Sequence, residues 1–329
     1  MTILVTGAAG FIGSYVSRTL LKRGDSVVGV DNFHEYYDRQ AKEYTNQITL
    51  ERAKASVGIY TFVEADIRDK VAMANLFEEY KIDKVIHLAA MAGVPYSVKD
   101  PHLYMDVNIL GTTVLADLAV ANKIQNFVFA SSSSVYGNRT NVPFKETDDV
   151  NTPVSPYAAS KRMGETLLYT YHHLYQLPVS CLRFFTVYGP LQRPYGMVIQ
   201  RFMKQIDHKQ PVSIYGDGSM ARDFTYIDDI VSGIIASLDE NSAYEIFNIG
   251  NSEPVRVIDI VDTLERVTGV TATKDFLPQP DTEVSVTYAD ISKAQEMLGY
   301  QPQTSFEEGV SLQWKTYQTL PEWYKDLPW

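Results

Sequence analysis

Residues 2–13 read Thr-Ile-Leu-Val-Thr-Gly-Ala-Ala-Gly-Phe-Ile-Gly. The run 3–6 has no polar face, which suits a strand buried on both sides in a parallel sheet. Gly7, Gly10 and Gly13 follow it at once and open a helix-period segment. Glycines at such a junction let the backbone turn tightly and approach a pyrophosphate, whose charge then rests on the positive end of the helix. The spacing is G-x-x-G-x-x-G, not the commoner G-x-G-x-x-G, and alone it would also suit an ordinary turn.

Asp31 closes the next apolar run, about twenty residues on. A carboxylate there accepts hydrogen bonds from the adenosine ribose hydroxyls and repels the extra phosphate of NADP, so NAD is the expected cofactor. Further apolar runs at 60–66, 84–90, 126–131 and 179–185 alternate with helix-period segments at 11–23, 70–80, 103–122 and 157–175. This pattern predicts an α/β fold, a doubly wound parallel sheet with helices on both faces. Asp66-Ile67 and Leu88-Ala89-Ala90 fall at strand C-terminal ends, where an open sheet binds ligands, although Asp66 alone reads equally well as a loop cap.

After Gly189 the turns come closer together and the elements shorten. A cofactor domain over 1–188, rejoined late by 224–250, and a smaller substrate-binding lobe over 189–223 and 251–329 are expected. The polar stretch 35–56 has no clear core face and reads as a surface helix after a long loop, or as a lid.

The chain has 329 residues, 45% apolar and 21% charged, which excludes disordered and collagen-like classes. Lys and Arg number 29 against 40 Asp and Glu, leaving a formal charge of −11 with no dense basic cluster, so no nucleic-acid partner is expected. An anionic ligand must be met by local cations, which screening over about 8 Å permits. Cys181 is the only cysteine, so no internal disulfide or multi-cysteine zinc site is possible and no metal is expected. No segment is expected to reach the ~20 apolar residues of a membrane span, and the N-terminus lacks the basic region of a signal peptide. A cytoplasmic protein is the expectation.

Tyr157 and Lys161 stand four apart at the start of a helix, so both project from one face. The run Ser131-Ser132-Ser133-Ser134 leaves a strand end upstream. Y-x-x-x-K arises often by chance; a hydroxyl cluster and a dinucleotide turn in the same chain give it weight. A phenol ordinarily titrates near 10, and depressing it by ~3 units takes roughly 4 kcal/mol, within reach of a nearby ammonium and a cationic nicotinamide together.

The set TGAAGFIGS, VDNFHEYYD, DIRD, HLAAMAGVPYS, SSSSVYG, SPYAASK, LRFFTVYGPLQRP, ARDFTYIDDI and TYADISKAQEMLGY, with Asn108 and Gly111, runs nearly end to end. It resembles the extended short-chain dehydrogenases/reductases, and within them the NAD-dependent nucleotide-sugar epimerases, most of all the UDP-glucuronate 4-epimerases. The resemblance implies a Rossmann-type domain and a UDP-sugar substrate. Tyr157 would remove the proton of the sugar 4-hydroxyl while the C4 hydride passes to the nicotinamide. The 4-keto sugar would then turn and take the hydride back on its other face. Lys161 would lower the phenol's pKa and hold the nicotinamide ribose near Asn108, and Ser132 would hydrogen-bond the 4-oxygen. Phe11, Ile12 and Asn32 join the expected cofactor contacts. A homodimer through the helices 103–122 and 157–175 is also implied.

Related dehydratases carry Asp-Glu after that Ser or Thr, and related decarboxylases a glutamate; this chain has Ser133 and Ser134, which leaves neither elimination a proton carrier. Thr186 stands where glucose-type epimerases have asparagine, and Arg193 has the fork geometry for a sugar carboxylate, unless it is a surface arginine. Arg222 resembles a diphosphate-binding arginine, with a structural ion pair to a neighbouring Asp as the alternative. Ser97, Tyr195 and Gly196 are expected near the sugar. Pro95 departs from the uronate pattern, which has an arginine there, because proline donates no hydrogen bond. UDP-glucose or UDP-N-acetylglucosamine epimerisation is therefore the rival within enzymes, and a non-catalytic NAD and nucleotide-sugar sensor the rival outside them.

Overall fold

A computed structural model describes residues 1–192, 197–240, 242–278 and 285–327. Its strands are β1 (Thr2–Thr6), β2 (Ser26–Asp31), β3 (Tyr60–Glu64), β4 (Lys84–His87), β5 (Phe127–Ser132), β6 (Val179–Phe184), β7 (Thr186–Tyr188), β8 (Val212–Tyr215), β9 (Ala221–Tyr226), β10 (Tyr244–Ile249), β11 (Pro254–Arg256), β12 (Lys274–Leu277) and β13 (Val286–Thr287). Seven of them form one sheet in the order β10-β6-β5-β4-β1-β2-β3, every pair parallel. Alternation along β1 sends Ile3 and Val5 into one apolar cluster and Leu4 into the other, so the sheet is buried on both faces. This is the doubly wound α/β fold. Chain order reverses between β1 and β4, and the crevice beyond their C-terminal ends is where such a sheet takes a ligand.

β4 stops at His87 rather than running to Ala90. The ladder ends there because the Ala89 amide turns to the Thr6 hydroxyl, 3.1 Å away, which frees residues 88–90 to form a wall of the crevice. The segment expected as one helix over 103–122 is Pro101–Met105, a π-helical turn Asp106–Leu110, and Gly111–Ala121. Contrary to the expectation from sequence, Pro101–Ala121 is long and apolar enough to cross a membrane. Half of it is buried inside the protein, with Tyr104, Val114, Leu115 and Ala119 in the core. Its apolar composition therefore serves packing.

Asp38 caps the helix Arg39–Ala53. That helix has a core face after all: Ala41 packs with Tyr317, Leu320, Tyr324 and Leu327 near the C-terminus. In the smaller sheets β9 pairs with β11, β13 and β7, and β8 pairs with β12. β10 returns from this part of the chain to lie beside β6.

Candidate active site

Gly7 has φ of 71°, and a Cβ there would sit 2.9 Å from the Ala89 nitrogen; a Cβ on Gly13 would fall 2.1 Å from the Gly7 carbonyl. The turn thus needs both glycines to bring β1, β4 and the helix Phe11–Arg23 together. That helix begins at Gly10 without a side-chain cap, and Gly10, Phe11, Ile12 and Gly13 face a cavity of about 380 Å³. An uncapped helix N-terminus aimed into a crevice fits a dinucleotide's pyrophosphate.

A smaller cavity of about 140 Å³ continues past β2, lined by Asp31, Asn32, Asp66, Ile67 and residues 88–90. Burial raises the pKa of Asp31, against the charge of Lys42 and the amides of Phe33, Ala9 and Asn32. Asp66 accepts two hydrogen bonds from the Arg68 guanidinium and one from Asn32. The Arg68 bonds outweigh burial and hold its pKa near about 2. Its role as a loop organiser is therefore visible beside its position on the wall.

Lys42 also lines this cavity, donates to the His34 carbonyl at 2.6 Å and lies over the Tyr37 ring. Sequence reasoning missed it, because a lysine in a polar helix carries no signal; its place one turn in from the Asp38 cap was the only clue. Tyr36 and Tyr37, also missed as wall residues, line both cavities.

Ser132, Ser133, Ser134, Tyr157, Lys161 and Thr186 line the 380 Å³ cavity with the glycine turn. Ser132 ends β5 and caps the following turn, its oxygen accepting from the Ser134 amide at 3.1 Å. The catalytic-candidate helix Pro156–Tyr175 is capped by Ser155 and opens with Pro156, so Tyr157 sits in the first turn, where the helix dipole favours an anion. Gly164 lets this helix close on β5, since a Cβ there would come 2.5 Å from the Phe129 ring. Lys161 is 4% exposed, donates to the Ala130 carbonyl at 2.7 Å, and has its pKa lowered by burial to about 7.

Asn108 is 2% exposed. Its side chain accepts from the Met91 amide and donates to the Met91 carbonyl and the Ser160 hydroxyl, at 2.8, 3.0 and 2.9 Å. It braces the site from behind. Beneath the serine run, Glu165 accepts from Ser131 at 2.6 Å and from two Arg183 nitrogens at 2.8 and 2.9 Å, both charged residues being buried.

A third cavity, about 330 Å³, adjoins the 380 Å³ cavity across Thr186, Val187, Gln192 and Met197, and Arg222 lines it. Arg222 donates to the Ala221 carbonyl. The neighbouring Asp223 is fully buried and accepts from the amides of Asn251, Ser252 and Ala289. Ser97 is buried with its hydroxyl donating to Val94, and is not among the residues lining the three cavities. Pro95 is exposed in the first turn of the helix Val94–Lys99. Arg193, Tyr195 and Gly196 lie outside the described residues.

The chain is 47% identical to a UDP-glucuronate 4-epimerase of Thermodesulfobacterium geofontis over 308 residues, 93% of each chain. It superposes with a TM-score of 0.87 on the crystal structure of a Bacillus cereus UDP-glucuronic acid 4-epimerase in complex with UDP-glucuronic acid and NAD, at 38% identity, covering 97% of this chain and 99% of that one. A Thermotoga maritima UDP-glucose 4-epimerase with UDP-glucose superposes equally well, TM-score 0.87, at 32% identity and the same coverage. The family model described as GDP-mannose 4,6 dehydratase matches residues 4–313. By these matches and by its glycine turn, serine run and Tyr157–Lys161 helix, the chain belongs to the GDP-mannose 4,6 dehydratase family of extended short-chain dehydrogenases/reductases.

Proposed function

We propose that this protein is an NAD-dependent isomerase that inverts C4 of a UDP-sugar, interconverting UDP-glucuronate and UDP-galacturonate. The carrying observation is that the serine run, Tyr157 and Lys161 line one cavity with the glycine turn. NAD, when bound, would supply a reversible hydride acceptor for the sugar C4. Tyr157 takes the 4-hydroxyl proton, helped by its first-turn position. Lys161, buried and titrating near about 7, gains charge as a phenolate forms beside it. Ser132 holds the 4-oxygen. Asp31 receives the adenosine ribose, Gly7, Gly10, Phe11, Ile12 and Gly13 the pyrophosphate, and Asn32, Asp66, Ile67 and residues 88–90 complete the cofactor walls, with Asn108 behind them.

Ser133 and Ser134 support epimerisation over the reaction in the family's name, since neither supplies the acid or base that elimination of water needs. Thr186, Arg193 and Arg222 are assigned to the nucleotide sugar, whereas Ser97, buried and bonded to Val94, is not. Residues 1–188 with 224–250 form the cofactor part, and 189–223 with 251–329 the sugar part. A cytoplasmic homodimer belongs to the same reading; exposed Leu110, Met163, Leu174 and Tyr175 within 103–122 and 157–175 support the pairing.

The second reading is a UDP-hexose 4-epimerase, favoured by Pro95 and by the likeness to the Thermotoga enzyme. Purified protein is incubated with UDP-glucuronate, UDP-glucose and UDP-N-acetylglucosamine, and the products are separated by chromatography. Conversion of the uronate alone is expected. Hexose conversion without it overturns the substrate, and silence from all three favours a sensor.

A further inference from the structure

His87 is the last residue of β4, 2% exposed, and absent from the mechanism above. Its Nδ1 lies 2.8 Å from the Thr6 hydroxyl and its Nε2 lies 3.0 Å from the Thr112 hydroxyl. The directions of these bonds follow from their neighbours. Thr112 spends its single proton on the Asn108 carbonyl, 2.6 Å away, which can only accept. The Thr112 oxygen must then accept from His87 Nε2–H. In a neutral ring the bare Nδ1 accepts from Thr6, whose oxygen in turn accepts from the Ala89 amide at 3.1 Å. Neutrality is enforced first by full burial and further by the charge of Lys161 when that amine is protonated, which lower the His87 pKa to about 3.

The chain continues. Asn108 donates to the Ser160 hydroxyl at 2.9 Å, and Ser160 donates to the backbone carbonyl of Tyr157 at 2.8 Å. The π-helical turn at Asp106–Leu110 holds Asn108 and its carbonyl in place for both contacts.

We propose that His87, in its neutral Nε2–H tautomer, is a positioning residue for epimerisation: it links the cofactor wall at Ala89 through Thr6, Thr112, Asn108 and Ser160 to the backbone of Tyr157. It touches neither substrate nor cofactor. Its work is to fix the distance between the base and the wall of the adjoining cavity, against which the cofactor would lie, so the inference rests on the proposed reaction for its kinetic arm only.

The test has two arms on the full-length protein. In the first, nitrogen NMR of histidine-labelled wild type at pH 7.5, with the signal assigned by its loss in His87→Asn, is expected to find Nε2 protonated and Nδ1 bare. A proton on Nδ1 overturns the chain. In the second, Thr112→Val removes the acceptor of Nε2–H while keeping shape. Its kcat is expected to fall about 10- to 100-fold, as a base displaced by a fraction of an ångström would cause. KM is expected to hold within about twofold, because ground-state contacts are untouched. Thr112→Ser restores kcat. A Thr112→Val enzyme with wild-type kcat, or one that loses only thermal stability, overturns the positioning role. If wild type converts none of the three UDP-sugars, the proposed function falls, and the tautomer still decides the hydrogen-bond chain; should Thr112→Val not fold, a wild-type kcat in His87→Asn overturns the positioning role and a loss of about 10- to 100-fold at unchanged KM supports it.

Discussion

Replacing Lys161 with methionine is expected to destroy turnover and stabilise the fold, by an amount that depends on pH. Lys161 is buried, and its pKa drops from the ordinary 10.5 to about 7 through burial. At 1.36 kcal/mol for each pH unit this corresponds to about 5 kcal/mol against folding wherever both states are protonated, that is, below pH 7. Between pH 7 and 10.5 the unfolded chain holds the proton and the folded chain does not, so stability rises with pH. Above 10.5 the cost is gone.

Methionine fills similar space without the charge, but leaves the Ala130 carbonyl without its 2.7 Å donor, a loss of about 1–2 kcal/mol. The NAD-free variant is therefore expected to be about 3 kcal/mol more stable than wild type at pH 6, and about level with it at pH 9.5. Urea unfolding of both proteins at the two pH values measures the gap. A gap that does not change with pH, or a variant less stable at pH 6, would refute the claim that this amine is held at the expense of the fold.

Tyr157→Phe is expected to keep the fold and cofactor content while losing UDP-glucuronate turnover; product chromatography at near wild-type rates would contradict the assigned proton transfer. Glu165→Gln leaves the buried Arg183 charge uncompensated and is expected to cost about 3–5 kcal/mol in urea unfolding; a loss below about 1 kcal/mol would mean the pair is dispensable. On the proposed cofactor assignment, Asp31→Asn removes a carboxylate that would repel a 2′-phosphate, so the ratio of NADP to NAD affinity, measured by titration calorimetry, is expected to rise about tenfold. An unchanged ratio would assign the discrimination elsewhere, Lys42 being the next residue to test.

What could be read in advance was whatever lies within one strand, one turn or one helical repeat. Apolar runs with no polar face announced parallel strands, and Tyr157 and Lys161 announced a shared helical face by spacing alone. The lengths of β3 and β4 were overestimated because hydropathy does not register where a ladder stops. The Thr6 hydroxyl decides that for β4, from another strand. Pro101–Ala121 was misjudged because its threonines, glycine and asparagine obscured a long apolar stretch. Lys42, Tyr36 and Tyr37 were invisible as site residues because their role depends on a loop folding back over the sheet edge. His87 was legible only as a strand residue; its two hydroxyl partners come from elements 81 and 25 positions away.

The return of β10 to the edge of β6 has a practical consequence. Trimming the chain after residue 188 would strip that border strand and bare a raw, doubly apolar margin, inviting edge-to-edge association. The Asn126 amide would also lose the carbonyls of Ser237, Leu238 and Glu240 that it stitches to the sheet. A cut at residue 188 therefore leaves no self-contained sheet, and any fusion or minimised version must keep the chain through β10.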